Sequence, residues 1–214
     1  MKRVLFATTN KGKVAEIKEI LSDYDIELLL LSDIDFDTDV DETGTTFKEN
    51  AAIKAKAAAD HILVKKTEFL DCVVMADDSG LEIDAMGKMP GVQSHRWLGD
   101  RSYKQAMEDI INELEGIPEE ERSARFVCAI VSLVYDPDEK IWKEHTVQET
   151  VEGMVAHEIC GENGFGYDPF FYVPEFGCTT AQMTPEQKNL ISHRGKAVTA
   201  IGKLLLKEGI LEKK

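Results

Sequence analysis

Apolar residues fall in short runs separated by polar turns, and their spacing divides the chain into strands and helices. Val4-Leu5-Phe6-Ala7 is a run of buried-strand character. The polar turn Thr8-Thr9-Asn10-Lys11-Gly12-Lys13 follows it. Val14, Ile17 and Leu21 then recur at helical spacing, with Asn10 placed as the N-cap. Ile26 to Leu31 is the next apolar run. Thr46 to Ile62 is rich in alanine, with Phe47, Ala51, Ala55, Ala58 and Ile62 on one side, and predicts a helix. Cys72 to Ala76 predicts a buried strand that ends at Asp77-Asp78-Ser79-Gly80, ahead of an alternating Leu81-Glu82-Ile83-Asp84. Ser102 and Gln105 form a capping-box pattern before a helix to about Leu114. Phe126 to Tyr135 and Ile141 to Val151 read as long strands joined by the turn Asp136-Pro137-Asp138-Glu139. Gly161 to Tyr167 is a glycine-rich loop, and a last helix starting near Ser192 turns Val198, Ile201 and Leu205 inward.

No repeat, low-complexity tract or linker interrupts this series, so one domain spanning 1–214, with room for two lobes, is expected. An apolar content of 43% with 30% charged residues describes a globular chain. The longest apolar stretch, Cys128 to Tyr135, is broken by Ser132 and is too short to cross a bilayer. Met1-Lys2-Arg3 precedes only four apolar residues, so no secretory signal is expected, and no membrane association. The cysteines at 72, 128, 160 and 178 make no CxxC pair, which fits reduced thiols in the cytoplasm. Forty Asp and Glu against 25 Lys and Arg give a net charge of −15, which argues against a nucleic-acid partner. Any phosphate must then be met at a local site, with a bound cation.

Several segments carry candidate chemistry. Thr8 to Lys13 is a strand-to-helix turn that presents backbone N–H groups, a positive dipole end and the Lys13 ammonium, all suited to phosphate. It lacks the Walker A pattern, and a plain capped helix start also explains it. Asp77 and Asp78 follow an apolar strand, at the sheet edge where open α/β folds place ligands. Carboxylates buried there need pairing or a metal, and an all-oxygen set suits Mg²⁺. Asp78-Ser79-Gly80 has neither the flanking glycines nor the partners of a serine nucleophile. Glu49 fits two roles, the acid of a Thr46-x-x-Glu49 capping box, which the spacing alone favours, and a metal ligand pointing towards the Asp77-Asp78 edge. Phe165 and Tyr167 in the glycine frame would offer a flat face to a base, with Asp168 as an acceptor, or would serve as core aromatics of a bulged hairpin. His193 and Arg194 open the last helix against its dipole, which favours a bound anion or keto oxygen nearby. The alternating acids from Asp33 to Glu42 form no calcium loop, because Thr38 and Gly44 stand where Gly and Glu are required.

Six motifs in order resemble the Ham1/RdgB family, the inosine triphosphate pyrophosphatases that hydrolyse non-canonical purine nucleoside triphosphates. They are Ala7-Thr8-Thr9-Asn10-Lys11-Gly12-Lys13, Gly44-Thr45-Thr46-Phe47-Lys48-Glu49-Asn50-Ala51, Ala76-Asp77-Asp78-Ser79-Gly80-Leu81, Pro90-Gly91-Val92, Gly164-Phe165-Gly166-Tyr167-Asp168-Pro169 and Lys188-Asn189-x-x-Ser192-His193-Arg194-Gly195. The resemblance implies an elongated mixed α/β sheet flanked by helices, two lobes with the nucleotide in the cleft between them, and a homodimer. It implies cleavage of ITP, dITP or XTP to the monophosphate and pyrophosphate with Mg²⁺. Carried over residue by residue, Thr8, Thr9, Asn10, Lys11, Gly12 and Lys13 hold phosphates. Asp78 is the proton acceptor and a metal ligand, and Glu49 is the second metal ligand. Ser79 touches substrate, and Phe165, Gly166, Tyr167 and Asp168 hold the base and sugar, with Phe165 stacking. Lys188, His193 and Arg194 complete the base pocket. Tyr167 stands where some members carry Trp. The alternative readings are a pyrophosphatase for other modified nucleotides and a non-catalytic nucleotide sensor; the set of acids and Lys13 argues against the sensor.

Overall fold

The first apolar run forms β1 (Lys2–Phe6), and the turn after it opens α1 (Lys11–Ile20), with the Asn10 side chain capping the helix. The structure, a computed structural model, describes residues 1–214. The second run is β2 (Ile26–Leu30), and the alanine-rich segment is α2 (Phe47–Lys65). Its N-terminus is closed by a capping box between Thr46 and Glu49. The next strand corrects the sequence reading. Instead of ending at Ala76, β3 (Val73–Ile83) runs on through Asp77-Asp78-Ser79-Gly80 for eleven residues. The chain can bury both acids in mid-strand because each has a lysine partner, which offsets the cost of removing a charge from water.

The predicted helix and long strands appear as α3 (Tyr103–Glu113), β4 (Ser123–Asp136) and β5 (Ile141–Val155). Two short strands, β6 (Phe171–Val173) and β7 (Cys178–Thr179), follow. The glycine-rich segment is no bulged hairpin; it leads through a 3-10 turn at Asp168–Phe170 into β6. The C-terminal helical region is split into α4 (Pro185–Ile191) and α5 (His193–Lys207). Ser192 between them is extended at φ −65° and ψ 153°, so one helix stops there and the next begins. Thr184-Pro185-x-Gln187, a cap followed by proline and a capping-box glutamine, is the signal from which α4 was legible.

The seven strands form one sheet in the order β2-β1-β3-β4-β5-β6-β7. β1 pairs in parallel with β2 and β3, whereas β6 pairs antiparallel with β5 and β7, so the sheet is mixed and the class is α/β. The chain divides into two compact units. Unit 1 holds residues 1–78, 128–149 and 195–214, and Val4, Phe6, Ile17, Met75, Ile130, Val198 and Ile201 lie in its core. Unit 2 holds residues 79–127 and 150–194, and its core includes Leu81, Met107, Ile110, Phe126, Phe170 and Phe171. Within unit 2 the fully buried Arg122 donates to the carbonyls of Leu114, Val155 and Ala156, which ties the end of α3 to the end of β5. No helix is long and apolar enough to cross a membrane.

Candidate active site

In unit 1 the site is built on the middle of β3. Strand alternation sends the adjacent acids to different helices. Asp77 is chelated by Lys13 of α1, with Nζ 3.0 and 2.9 Å from its two oxygens. Asp78 turns to α2. Its Oδ1 accepts from Lys54 Nζ at 3.1 Å and its Oδ2 from Asn50 Nδ2 at 3.2 Å. The same Lys54 ammonium donates to Glu42 Oε1 at 2.7 Å, so one cation holds two carboxylates. Burial pushes the Asp78 carboxyl above the usual range and Glu42 adds to that, against the opposing pull of Lys54 and Lys13. For Lys54, burial alone favours the neutral amine, but Asp78, Asp77 and Glu42 together raise its pKa.

At the α1 end, the Asn10 side chain accepts from the Gly12 and Lys13 amides at 2.9 and 3.2 Å, and the Thr8 hydroxyl accepts from the Asn10 amide at 3.2 Å. The turn is therefore folded by its own side chains, as a capped helix start should be. Thr9, Asn10 and Lys11 are exposed, while Thr8, Gly12 and Lys13 are half-buried.

Glu49 forms the capping box that its spacing favours. Its Oε2 accepts from the Thr45 amide at 2.6 Å, the Thr45 hydroxyl at 2.9 Å and the Thr46 amide at 3.1 Å, and these bonds hold its pKa below the usual value. Its Oε2 thus closes the helix cap, and Glu42, from the acidic stretch, shares Lys54 with Asp78. Sequence reading also missed Lys54 and Asn50. Their signal was the spacing i, i+4 on α2, which aims both at one partner. No group of three or more His, Cys, Asp or Glu is arranged to hold a metal ion. Two hard carboxylates on one resident ammonium fit a magnesium-like ion, which takes one or two protein carboxylates and leaves its other positions to water and phosphate.

Unit 2 carries the second cluster. Asp168 is buried, and Lys188 Nζ of α4 donates to its Oδ2 at 2.6 Å. The Phe165 amide donates to the same oxygen at 2.8 Å, and the Thr180 hydroxyl donates to Oδ1 at 2.9 Å. The carboxylate is thus a clasp for the glycine loop, not an acceptor held open for a ligand. Gly164, at φ +75°, permits this closure, since a Cβ there would run into the Asp168 carboxylate. Phe165 is half-buried, and its ring centroid lies 5.0 Å from Lys188 Nζ and 5.4 Å from Arg194 Cζ. Arg194 donates to the Ser79 hydroxyl at 3.2 Å. His193 stacks on Phe126 with ring centroids 4.9 Å apart.

Tyr167 departs from the expectation of a flat face. Its ring belongs to the unit 2 core, edge-on to Tyr103, and its hydroxyl donates to the Ser94 carbonyl at 3.0 Å. Burial holds that phenol protonated, far above its ordinary pKa. Gly166, at φ +68°, lies beside Tyr103 and keeps the loop at this position bare of side chain.

These elements define an α/β protein with a lysine-bearing carboxylate cluster suited to a cation and phosphates in unit 1. Unit 2 adds an aromatic ring backed by cations, suited to a planar heterocycle. The comparisons agree with that class. The Ham1 family profile matches residues 4–204, and the chain belongs to the Ham1 family. A Bacillus subtilis protein named dITP/XTP pyrophosphatase is 43% identical over 206 residues, 96% of this chain and 98% of the relative. One of the same name from Clostridium perfringens is 42% identical over 92% of this chain and 94% of its own length. Among solved structures, the Staphylococcus aureus Ham1 protein has a TM-score of 0.79 at 39% identity, covering 97% of this chain and 100% of that one. A HAM1 protein from Coxiella burnetii has a TM-score of 0.80 at 36% identity, with the same coverage.

Proposed function

We propose that this protein is a nucleoside triphosphate pyrophosphatase that hydrolyses ITP, dITP and XTP to the monophosphate and pyrophosphate, clearing non-canonical purines from the nucleotide pool. The observation that carries this reading is Asp78, a buried carboxylate with a raised pKa, held between Lys54 and Asn50 in mid-strand. A raised pKa suits a proton acceptor. In this reading Asp78 orients a water and takes its proton as the oxygen attacks the α-phosphorus. The bond from the α-phosphorus to the bridging oxygen breaks, and pyrophosphate leaves with the electron pair. In the same reading Lys13, Lys54 and the α1 N-terminus meet the triphosphate and would supply fixed positive potential where charge develops. Asp78 and Glu42 are the carboxylates that would hold Mg²⁺, which supplies charge neutralisation on the phosphates. A cytoplasmic homodimer belongs to the same reading, on the resemblance of the motifs.

Base choice falls to unit 2. Hypoxanthine and xanthine carry a 6-keto acceptor that Arg194 can bond, whereas adenine would set its 6-amino donor against donors, and an unpaired buried polar group is costly. Phe165, backed by Lys188 and Arg194, is the stacking surface. The test is pyrophosphate release from ITP, XTP, dUTP, ATP and GTP, each with Mg²⁺ and with EDTA. Mg²⁺-dependent release favouring ITP and XTP, with the monophosphate as the other product, is the expected result. Preference for another base discards the pocket assignment, and ITP binding without turnover overturns the enzyme reading in favour of a sensor.

A further inference from the structure

Asn50 is fully buried, and both ends of its amide are used. Its Oδ1 accepts from the Gly44 backbone N–H at 2.8 Å, and its Nδ2 donates to Asp78 Oδ2 at 3.2 Å. The Gly44 N–H is a donor only, so it fixes which way the amide points and turns the NH₂ group onto Asp78. Gly44 lies two residues after Glu42, whose carboxylate rests on Lys54, and Lys54 in turn rests on the other oxygen of Asp78. The contacts therefore close a ring: Glu42 to Lys54 to Asp78 to Asn50 to Gly44, and back along the chain through Thr43. Asn50 and Lys54, one turn apart on α2, grip the two oxygens of Asp78 separately. Gly44 is required by space, not by backbone strain. A Cβ there would lie 2.6 Å from Asn50 Oδ1 and 2.6 Å from Glu49 Cβ.

The geometry points to Asn50 as a positioning residue that, through Gly44, fixes Glu42 relative to Asp78 and so prepares the two carboxylates for a divalent cation. This rests on the proposed function for its meaning, but its test does not depend on turnover. A supporting shell of this kind is typically worth 10–100-fold in metal affinity. In a side-chain cluster already held in place, that affinity reflects ordering done before the ion arrives.

The experiment uses Mn²⁺ alone as the probe, with affinity read from the rise of Tm with metal concentration in nucleotide-free protein. Asn50→Ala and Gly44→Ala break the ring from opposite sides, and Gly44→Ala does so without emptying a buried site. Each is expected to weaken Mn²⁺ by about 10–100-fold. The double variant is expected to be no weaker than the worse single one, because both remove the same link. A purely structural role would lower the metal-free Tm and leave the metal-dependent rise unchanged. That result, additive losses in the double variant, or a wild-type Tm indifferent to Mn²⁺ would each overturn the inference. Pyrophosphate release by the wild type from ITP is scored separately, so failure of the functional reading is distinguishable from failure of this one.

Discussion

Asp78 in unit 1 and Asp168 in unit 2 are each buried against a lysine, and these two pairs are built to opposite ends. In unit 2, Asp168 accepts from Lys188, a backbone amide and a hydroxyl at 2.6, 2.8 and 2.9 Å, so both of its oxygens are engaged in folding the loop that carries Phe165. In unit 1, Asp78 accepts two longer bonds of 3.1 and 3.2 Å, shares its lysine with Glu42, and keeps a raised pKa. Giving a buried carboxylate short bonds on both oxygens makes it a strut. Leaving it short of donors makes its charge costly, and the cost is relieved by taking up a proton or a cation. The same residue types thus give a clasp in one unit and a reactive group in the other.

The sharpest way to break this contrast is to neutralise the two acids in turn. Asp78→Asn is expected to lower turnover of ITP by roughly 10²–10⁴-fold, and the charge of Asp78 itself is expected to make the nucleotide-free wild type less stable as pH rises through the carboxylate range. The sign follows from linkage. The folded state binds the Asp78 proton more tightly than the unfolded state, so the ionised carboxylate costs stability at pH values above its usual range. Asp168→Asn is expected to act chiefly on stability, losing about 3–5 kcal/mol in urea unfolding as the buried Lys188 loses its carboxylate. If Asp168→Asn were as stable as the wild type, the clasp would be refuted. Next in size, Arg194→Ala is expected to erode the ratio of kcat/KM for ITP over ATP by about 1.5–3 kcal/mol, the worth of hydrogen bonds to a charged group.

The smallest effect sharpens the sign argument. Arg125 binds Asp84 at the unit 2 surface and, with Ser123, holds the Asp84 carboxyl below its usual pKa, the opposite of Asp78. This contribution is present above the ordinary carboxylate range and lost as pH falls through the depressed value. Arg125→Met should therefore unfold more easily than the wild type near neutrality, by about 1 kcal/mol or less after solvent screening. The gap should close as the urea midpoints are followed from about pH 6 down to about pH 3. A gap that stays constant across that range would contradict the assignment.

Much of the fold was legible because local patterns agreed with it. The capped start of α1, the capping boxes of α2 and α3 and the two long strands lie where periodicity puts them. The misreadings share a cause. Asp77-Asp78-Ser79-Gly80 looks like a turn because its acids are polar, and it is strand because Lys13 and Lys54 arrive from α1 and α2 to pair them. Glu49 lies in the capping box that its spacing indicates, whereas Glu42, which shares Lys54 with Asp78, comes in from a loop that carries no periodic signal. Tyr167 and Phe165 are two residues apart in one glycine frame, yet one packs in the core and the other keeps part of its face in the open.

The sequence by itself determined the α/β class, the acidic and lysine-bearing chemistry, the order of the motifs and the resemblance to the Ham1 family, because all of these are carried by residues close together in the chain. The partnership of each charge was decided only by the tertiary structure. Residues 28 apart, such as Asn50 and Asp78, or 24 apart, such as Lys54 and Asp78, meet only when a helix is laid against a strand. Whether a buried acid becomes strut or reactive group depends on how many donors that packing delivers to it, and no local pattern in the chain records that number.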